Sequence, residues 1–239
     1  MLLVGGAGTR MRPLTYVVPK CLLPVGGRPL VERTIAYLKG YGVEEFVLCV
    51  SYLKGQVMDA IGGGERLGVR VTYAESEVPM GTAGQLKTAE RHLEGRFLAM
   101  NGDIVTDLNI FNLVKAHRRK GGIATIAVKR FGVNIPYGHI TVNKASRITA
   151  FVEKPTISYV ANAGIYVMEK RLLDRIPRGK PSSLEKDIFP SLLSGGERVN
   201  AYFEEANWAD VGSMADFERV NDQALSPSGW VRPPGTGAS

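Results

Sequence analysis

Three groups of residues in this 239-residue chain have the types and spacing that chemistry requires. The first is Gly5-Gly6-Ala7-Gly8-Thr9-Arg10, directly after the apolar Leu2-Leu3-Val4. Glycines at a strand end let backbone N–H groups turn inward around an anion, because no side chain obstructs its approach. An ordinary tight turn is the bland alternative, but Arg10, Arg12 and Pro19-Lys20 follow and favour a phosphate. Lys20 lies in a segment too rich in proline to be helix interior, so a fixed loop directs its amine; a solvated lysine is the competing reading. The second group is Asp103 in Asn101-Gly102-Asp103 together with Asp210 in Trp208-Ala209-Asp210. Alone, each is more simply a turn former or helix cap. Brought together by a fold, two such carboxylates would suit Mg²⁺, which prefers oxygen and is held by one or two carboxylates plus substrate phosphates; nothing in their spacing alone says that they meet. The third is Glu153-Lys154-Pro155, where proline fixes the exit from a strand so that both charges face one cavity. A surface ion pair, worth about 0–1 kcal/mol, is its alternative.

These groups need a scaffold, and the hydrophobic pattern supplies one. Strands are expected at Leu2–Val4, Phe46–Val50, Val69–Tyr73 and Phe97–Met100. Helices are expected over Pro29–Tyr41, where proline suits the first turn and Gly42 stops the pattern, over Thr82–Leu93 and over Asn109–Lys120. Alternating strands and helices are the pattern of a parallel sheet with right-handed crossovers. Asp103 then follows a strand at the carboxyl end, where open α/β sheets hold their ligands. After Gly122 the rhythm changes to strands at Ile123–Lys129, His139–Val142, Ile148–Glu153, Ile165–Met168 and Val199–Phe203, with helices at Leu184–Leu193 and Ser213–Asn221. This half is expected to add antiparallel strands to the sheet. The expected organisation is one domain over residues 1–225, divided at 122/123, and a flexible tail over 226–239, rich in Gly, Pro and Ser.

Composition narrows the partners. The chain carries 30 Lys+Arg against 23 Asp+Glu, a net charge of +7, and is 44% hydrophobic. No apolar run approaches the roughly 20 residues that cross a bilayer, which excludes a membrane-spanning protein of that kind, and the composition excludes a disordered chain. The basic residues are dispersed; the densest run, Arg118-Arg119-Lys120, ends a helix, where cations complement the dipole without a partner. Nucleic acid is therefore not an expected ligand, and a small polyphosphate uses the same charge locally. Two cysteines and three scattered histidines offer no soft-metal cluster. Without a basic and apolar leader, a reducing cytoplasm is the expected compartment.

Two familiar nucleotide loops fail on spacing. Gly6-Ala7-Gly8 lacks the third glycine of the dinucleotide fingerprint, and Thr9-Arg10 stands where a Walker A loop needs Gly-Lys-Ser/Thr. The stretch Gly5 to Thr15 followed by Pro19-Lys20-Cys21-Leu22-Leu23-Pro24-Val25 instead resembles the sugar-nucleotide pyrophosphorylases, the nucleoside-triphosphate:sugar-1-phosphate nucleotidyltransferases. The resemblance extends to Gly81-Thr82-Ala83-Gly84, Asn101-Gly102-Asp103, Phe151-Val152-Glu153-Lys154-Pro155, Asn162-Ala163-Gly164-Ile165-Tyr166 and Trp208-Ala209-Asp210-Val211-Gly212, thus nearly the whole chain.

The resemblance implies a Rossmann-like, doubly wound, mostly parallel mixed α/β sheet of the nucleotide-diphospho-sugar transferase (GT-A-like) type. It implies that Arg10, Lys20 and Asp103 are catalytic. Gly5, Gly6, Ala7, Gly8, Thr9, Arg10, Lys20, Glu77, Gly81, Thr82 and Asp103 would surround the nucleotide, with the first N–H groups and small residues at the start of the Gly81 helix admitting the base. Gly138, Glu153, Lys154 and Asn162 would bind the sugar phosphate, and Asp103 and Asp210 would hold Mg²⁺. Cys21 departs from the family pattern but leaves Lys20 intact. Among members the blocks look most like mannose-1-phosphate guanylyltransferases. Uridylyl- and thymidylyltransferases of glucose 1-phosphate are the alternative, and a catalytically silent sugar-nucleotide-binding regulator is the alternative from another class. Only Leu2, Leu3 and Val4 separate Met1 from Gly5, a shorter first strand than expected, so the natural start is expected upstream. No hexapeptide series follows the main domain in this sequence, so the carboxyl-terminal β-helix of many relatives, with its acyltransfer or oligomer-forming role, is not expected within it; a homo-oligomer is one open outcome.

Overall fold

Strands covered on both faces must be apolar throughout, and the side chains of successive residues must serve opposite layers. The computed structural model, which describes residues 1–226, shows this in its central strands. The elements in chain order are β1 (Leu2–Leu3), β2 (Pro24–Val25), β3 (Arg28–Pro29), α1 (Leu30–Lys39), β4 (Glu45–Val50), α2 (Lys54–Ile61), β5 (Arg70–Glu75) and α3 (Gly81–Thr88). There follow β6 (Arg96–Asn101), β7 (Ile104–Thr106), α4 (Ile110–Lys120), β8 (Ala124–Asn134), β9 (His139–Val142), β10 (Ile148–Val152) and β11 (Thr156–Glu169). The last are α5 (Phe189–Ser194), β12 (Val199–Phe203), β13 (Trp208–Asp210) and α6 (Met214–Leu225).

Seven strands form the main sheet in the order β12-β8-β11-β6-β1-β4-β5. β6, β1, β4 and β5 run parallel, as do β12 and β8, while β11 lies antiparallel to both β6 and β8. Leu2, Leu48, Met100, Ile165 and Val167 point into one core with Val31, Ile35, Val57 and Leu113 of α1, α2 and α4. Their neighbours Leu3, Cys49, Ala99, Tyr166 and Met168 point into the other with Leu86 of α3 and Leu192 of α5. The fold is the expected doubly wound, mostly parallel mixed sheet with an antiparallel addition. A third, smaller cluster contains Met11, Leu23, Val25, Leu30, Val105, Ala209, Val211 and Val220, and it seats β7 and β13 against α6.

Several boundaries differ from expectation. The expected helix over Thr82–Leu93 ends at Thr88 and continues as a 3₁₀ turn at Glu90–His92. α2 and the three-residue strands β7 and β13 carry too little periodicity to be seen in advance. β8 and β11 run far beyond their apolar ends as a paired arm, held by ladder hydrogen bonds from Thr156↔Asn134 to Asn162↔Val128. The expected helix at Leu184 begins as a π-helical turn over Leu184–Ile188. The expected tail lies outside the described residues except for Ser226. No helix among the described residues is long and apolar enough to cross a membrane.

Candidate active site

β1 delivers the chain to the carboxyl edge of the sheet, and the glycine loop leaves from there. Its start is fastened: Val4 N donates to Cys49 O (3.2 Å), Gly5 N to the Gln85 side-chain oxygen (3.0 Å), and Gly102 N to Leu3 O (3.0 Å). Among the described residues the N–H groups of Gly6 and Ala7 have no partner and remain for a ligand. The Gly5 N–H does not. Gly8 has φ +59, and a methyl group there would stand 2.9 Å from Thr15 Cγ2 and 3.2 Å from Lys20 Cβ. The Gly8 carbonyl accepts from Met11 N (2.9 Å) and Thr15 Oγ1 (2.8 Å), which closes the turn over Lys20.

Pro19 leads into a 3₁₀ turn over Lys20–Leu22, and buried Cys21 anchors it. Lys20 thereby points inward: its Nζ lies 2.6 Å from Asp103 Oδ2, with the two side chains only 14% and 28% exposed. Asp103 stands between β6 and β7. β13 pairs antiparallel with β7, placing Asp210 opposite Ile104, and Val211 N donates to Asp103 O (2.9 Å). The two aspartates, 107 positions apart in sequence, are thus ladder neighbours. Arg10 reaches the same place. A methyl group on Gly212 would stand 2.9 Å from Asp210 Oδ2 and 3.1 Å from an Arg10 guanidinium nitrogen, so a side chain there would displace both charged ends.

Charge is concentrated at this junction. Burial, and then the neighbouring Asp103 carboxylate, push the Asp210 carboxyl up to about 6, against the opposing pull of Lys20 and Arg10. Asp210 Oδ1 is buried and has no hydrogen-bond partner among the described residues. Among the described residues no group of three or more His, Cys, Asp or Glu could hold a metal, so a cation here would rest on these two carboxylates and on ligand oxygens. The Cys21 thiol, beside Lys20, is pushed up to about 12 by burial and is no nucleophile. A cavity of about 250 Å³ opens onto the cluster, lined by Gly6, Gly8, Thr9, Arg10, Lys20 and Asp103 among others.

The remaining expected residues divide. Gly81 and Thr82 open α3, but the N–H groups of Ala83 and Gly84 are already taken by the Ser182 carbonyl (2.9 and 3.1 Å). The helix start is therefore capped by protein, and the expectation that its first N–H groups are open to a base is corrected for Ala83 and Gly84. Gly81 has φ +69, and a methyl group there would collide with Ser182 O. Gly81→Ala is expected to destabilise the protein by about 2 kcal/mol or more, read as a lowered Tm. Glu77, with 86% of its side chain exposed, is ion-paired to Lys54 (2.6 Å) and does not line the cavity.

On the other half, Gly138 and Glu153 meet: a methyl group at Gly138 would stand 2.9 Å from Glu153 Oε2 and 2.6 Å from the Phe151 ring. Lys154 takes a left-handed backbone (φ +45) just past β10. Among the described residues no hydrogen bond or ion pair ties Gly138, Glu153 or Lys154 to the aspartate cluster; all three flank the β9–β10 hairpin. Asn162 sits closer to it. It precedes a register shift in β11 at which Gly164 (φ +71) packs on Asn101, and Trp208 Nε1 donates to Ala163 O (2.8 Å). Sequence reasoning missed Gln85, which holds the glycine loop, and Glu185, which receives hydroxyls from both halves. A buried glutamine four residues into a helix carries no local signal of a partner 80 positions away.

The sequence matches the model of the nucleotidyl transferase family over residues 1–226. It is 33% identical to a mannose-1-phosphate guanylyltransferase of Mycobacterium tuberculosis over 97% of this chain and 67% of that protein. It is 32% identical to a UTP–glucose-1-phosphate uridylyltransferase of Synechocystis over 95% of this chain and 63% of that one. The chain thus spans about two thirds of the length of these curated relatives. A crystal structure of a putative glucose-1-phosphate thymidylyltransferase from Bacillus anthracis in complex with a sucrose superposes with a TM-score of 0.75 at 25% identity, covering 94% of each chain. The matched region contains the glycine loop, both aspartates and the Glu153-Lys154 segment, and the chain belongs to the nucleotidyl transferase family.

Proposed function

We propose that this protein transfers a nucleoside monophosphate from a nucleoside triphosphate to a sugar 1-phosphate, with GTP and mannose 1-phosphate as the favoured pair. A phosphate oxygen of the sugar 1-phosphate attacks the α-phosphorus; the new P–O bond forms as the bond to the β-phosphate oxygen breaks, and pyrophosphate leaves. The observation that carries this reading is the junction of Lys20, Arg10, Asp103 and Asp210 beside a glycine loop with open N–H groups. Such a junction contains cations and oxygen ligands but no activated nucleophile, since the nearby thiol is held protonated. Phosphoryl-type transfer needs positioning and charge stabilisation and little covalent help.

Within this reading the Gly6 and Ala7 N–H groups hold phosphate oxygens, Lys20 and Arg10 offset the charge that grows on the triphosphate, and Gly138, Glu153, Lys154 and Asn162 orient the sugar phosphate. Asp103 and Asp210 would hold Mg²⁺, and the orphaned, buried oxygen of Asp210 suits that role. The ion would supply Lewis-acid neutralisation of the phosphate oxygens. The cysteines are both free and buried, which agrees with a reducing cytoplasm.

The guanylyl and mannosyl preference follows the relatives named as mannose-1-phosphate guanylyltransferases. A uridylyltransferase at 32% identity favours UTP and glucose 1-phosphate as the second reading. Base choice rests on a few hydrogen bonds at the pocket rim. A grid of nucleoside triphosphates against sugar 1-phosphates, read as pyrophosphate release with Mg²⁺, is expected to give its highest kcat/KM for GTP with mannose 1-phosphate. A higher value for UTP or dTTP with glucose 1-phosphate moves the substrates within the same reaction. Binding without pyrophosphate from any pair overturns the enzyme in favour of a sugar-nucleotide-binding regulator.

A further inference from the structure

The segment between β11 and α5 is tied to the start of α3. Ser182 N donates to Met80 O (2.8 Å), and the Ser182 carbonyl caps Ala83 and Gly84. Ser183 then caps the π-helical turn, its Oγ accepting from Glu185 N (3.2 Å) and Lys186 N (3.1 Å). Glu185 is thereby brought between the two halves of the site. Three hydroxyls converge on its carboxylate: Thr82 Oγ1 and Ser183 Oγ donate to Oε2 (2.8 Å each), and Tyr166 OH donates to Oε1 (3.1 Å).

The direction of each bond is fixed by what each hydroxyl accepts. Thr82 Oγ1 accepts from Leu184 N (2.8 Å), Ser183 Oγ accepts from two backbone N–H groups, and Tyr166 OH accepts from Asn162 Nδ2 (2.8 Å). All three therefore give their protons to Glu185, and an ionised carboxylate, which only accepts, is the group that suits all three. Asn162 is held at its other end as well, because its Oδ1 accepts from Gly164 N (2.9 Å). Were Tyr166 to turn its proton toward Asn162, the amide would have to flip, and its NH₂ would then face the Gly164 N–H.

We propose that Glu185 is a positioning residue for the sugar-side Asn162, acting through the Tyr166 hydroxyl, and that its second oxygen locks this arrangement to the start of α3 through Thr82. The inference rests on the sugar-phosphate role given to Asn162 above. Glu185 itself is exposed, but Tyr166 is fully buried, so no water stands ready to replace the carboxylate at the tyrosine hydroxyl. A Glu185→Gln side chain has one accepting oxygen for two sites. Two hydroxyls compete for it on the Thr82 side, so its NH₂ turns to Tyr166, whose proton loses its acceptor and whose oxygen then faces the donors of both the new amide and Asn162. Leaving a buried donor unmatched has a cost large enough to reset the Asn162 rotamer.

The test compares wild type, Glu185→Gln, Tyr166→Phe and the double variant. It reads KM for the sugar 1-phosphate and for the nucleoside triphosphate by pyrophosphate release, Tm by thermal melting, and binding of mannose 1-phosphate and glucose 1-phosphate by calorimetry. Glu185→Gln is expected to raise the KM for the sugar 1-phosphate about tenfold, with the nucleotide KM within about twofold and the melting transition still cooperative. Tyr166→Phe is expected to match it, and the double variant to be no worse than either single change. An unchanged sugar KM in Glu185→Gln, an equal rise for both substrates, or effects that multiply in the double variant would each overturn the proposal. A wild type that releases no pyrophosphate ends the proposed reaction; the positioning role then stands or falls on whether Glu185→Gln weakens sugar 1-phosphate binding, and absence of binding to wild type overturns both.

Discussion

Lys20→Met is expected to lower kcat by roughly 10²- to 10³-fold while leaving the fold in place, the loss that follows removal of one preorganised donor at a developing anion. Methionine retains most of the stem that packs beside Gly8 and Thr15 and discards only the ammonium. That ammonium lies 2.6 Å from Asp103 and is mostly shielded from water, so under the proposed reaction it would stand preorganised beside the triphosphate and need little rearrangement. Because the effect belongs to the transition state, kcat and kcat/KM should fall together, with KM nearly unchanged. Asp103 keeps some access to solvent, which limits the cost of losing its partner to a small change in Tm. Turnover near wild type in a folded Lys20→Met protein would remove Lys20 from the mechanism and, with it, the phosphate reading of the loop.

The parts of this site that were legible in the sequence are those in which local chemistry and long-range placement coincide. Gly5 to Arg10 follows a strand, and parallel sheets put the ends of neighbouring strands on one edge, so the same pattern that forecast the loop also forecast Asp103 beside it. Asp210 was legible only by resemblance. Its strand has three residues, and the β7–β13 ladder that joins it to Asp103 is specified by the small cluster of Met11, Val105, Ala209 and Val211, whose members are spread over the chain. The long arm of β8 and β11 was foreseen only at its apolar end, because its mostly exposed outer half, from Phe131 to Asn134 and from Thr156 to Val160, alternates over only four or five residues beside Gly132 and Pro155, too short and too interrupted a pattern to mark a strand. The start of α3 illustrates a different limit. Gly81-Thr82-Ala83 correctly marked a helix terminus, yet nothing near it announced that Ser182 would cap two of its N–H groups. Glu185 is the same case: the Ser183 cap is local, whereas its bonds to Thr82 and Tyr166 depend on two elements meeting in space.

Asp210→Asn should separate stability from activity, moving them in opposite directions. The wild-type carboxyl is buried beside Asp103, with one oxygen unpartnered and its pKa raised to about 6. A carboxyl whose folded pKa lies above its unfolded value binds its proton more tightly in the native state, so its ionisation costs stability as pH rises through the interval between about 4 and 6. At pH 8 that cost is fully present, and the uncharged, nearly isosteric asparagine removes it. The metal-free variant should therefore melt higher than metal-free wild type at pH 8, by the roughly 2–4 °C that about 1 kcal/mol moves a domain of this size. The advantage should shrink as the pH is lowered toward 4, where the wild-type carboxyl is protonated too. Mg²⁺ should reverse the order, raising the Tm of wild type by selective binding to the native state while leaving the variant nearly unchanged. Activity should fall roughly 10²- to 10³-fold in the same variant, the scale of loss when one fixed electrostatic group is taken from a transition state. A variant that melts lower than wild type at pH 8 without metal would show that Asp210 is not held against its neighbour, and one that keeps wild-type turnover would show that the paired aspartates are not the cation site.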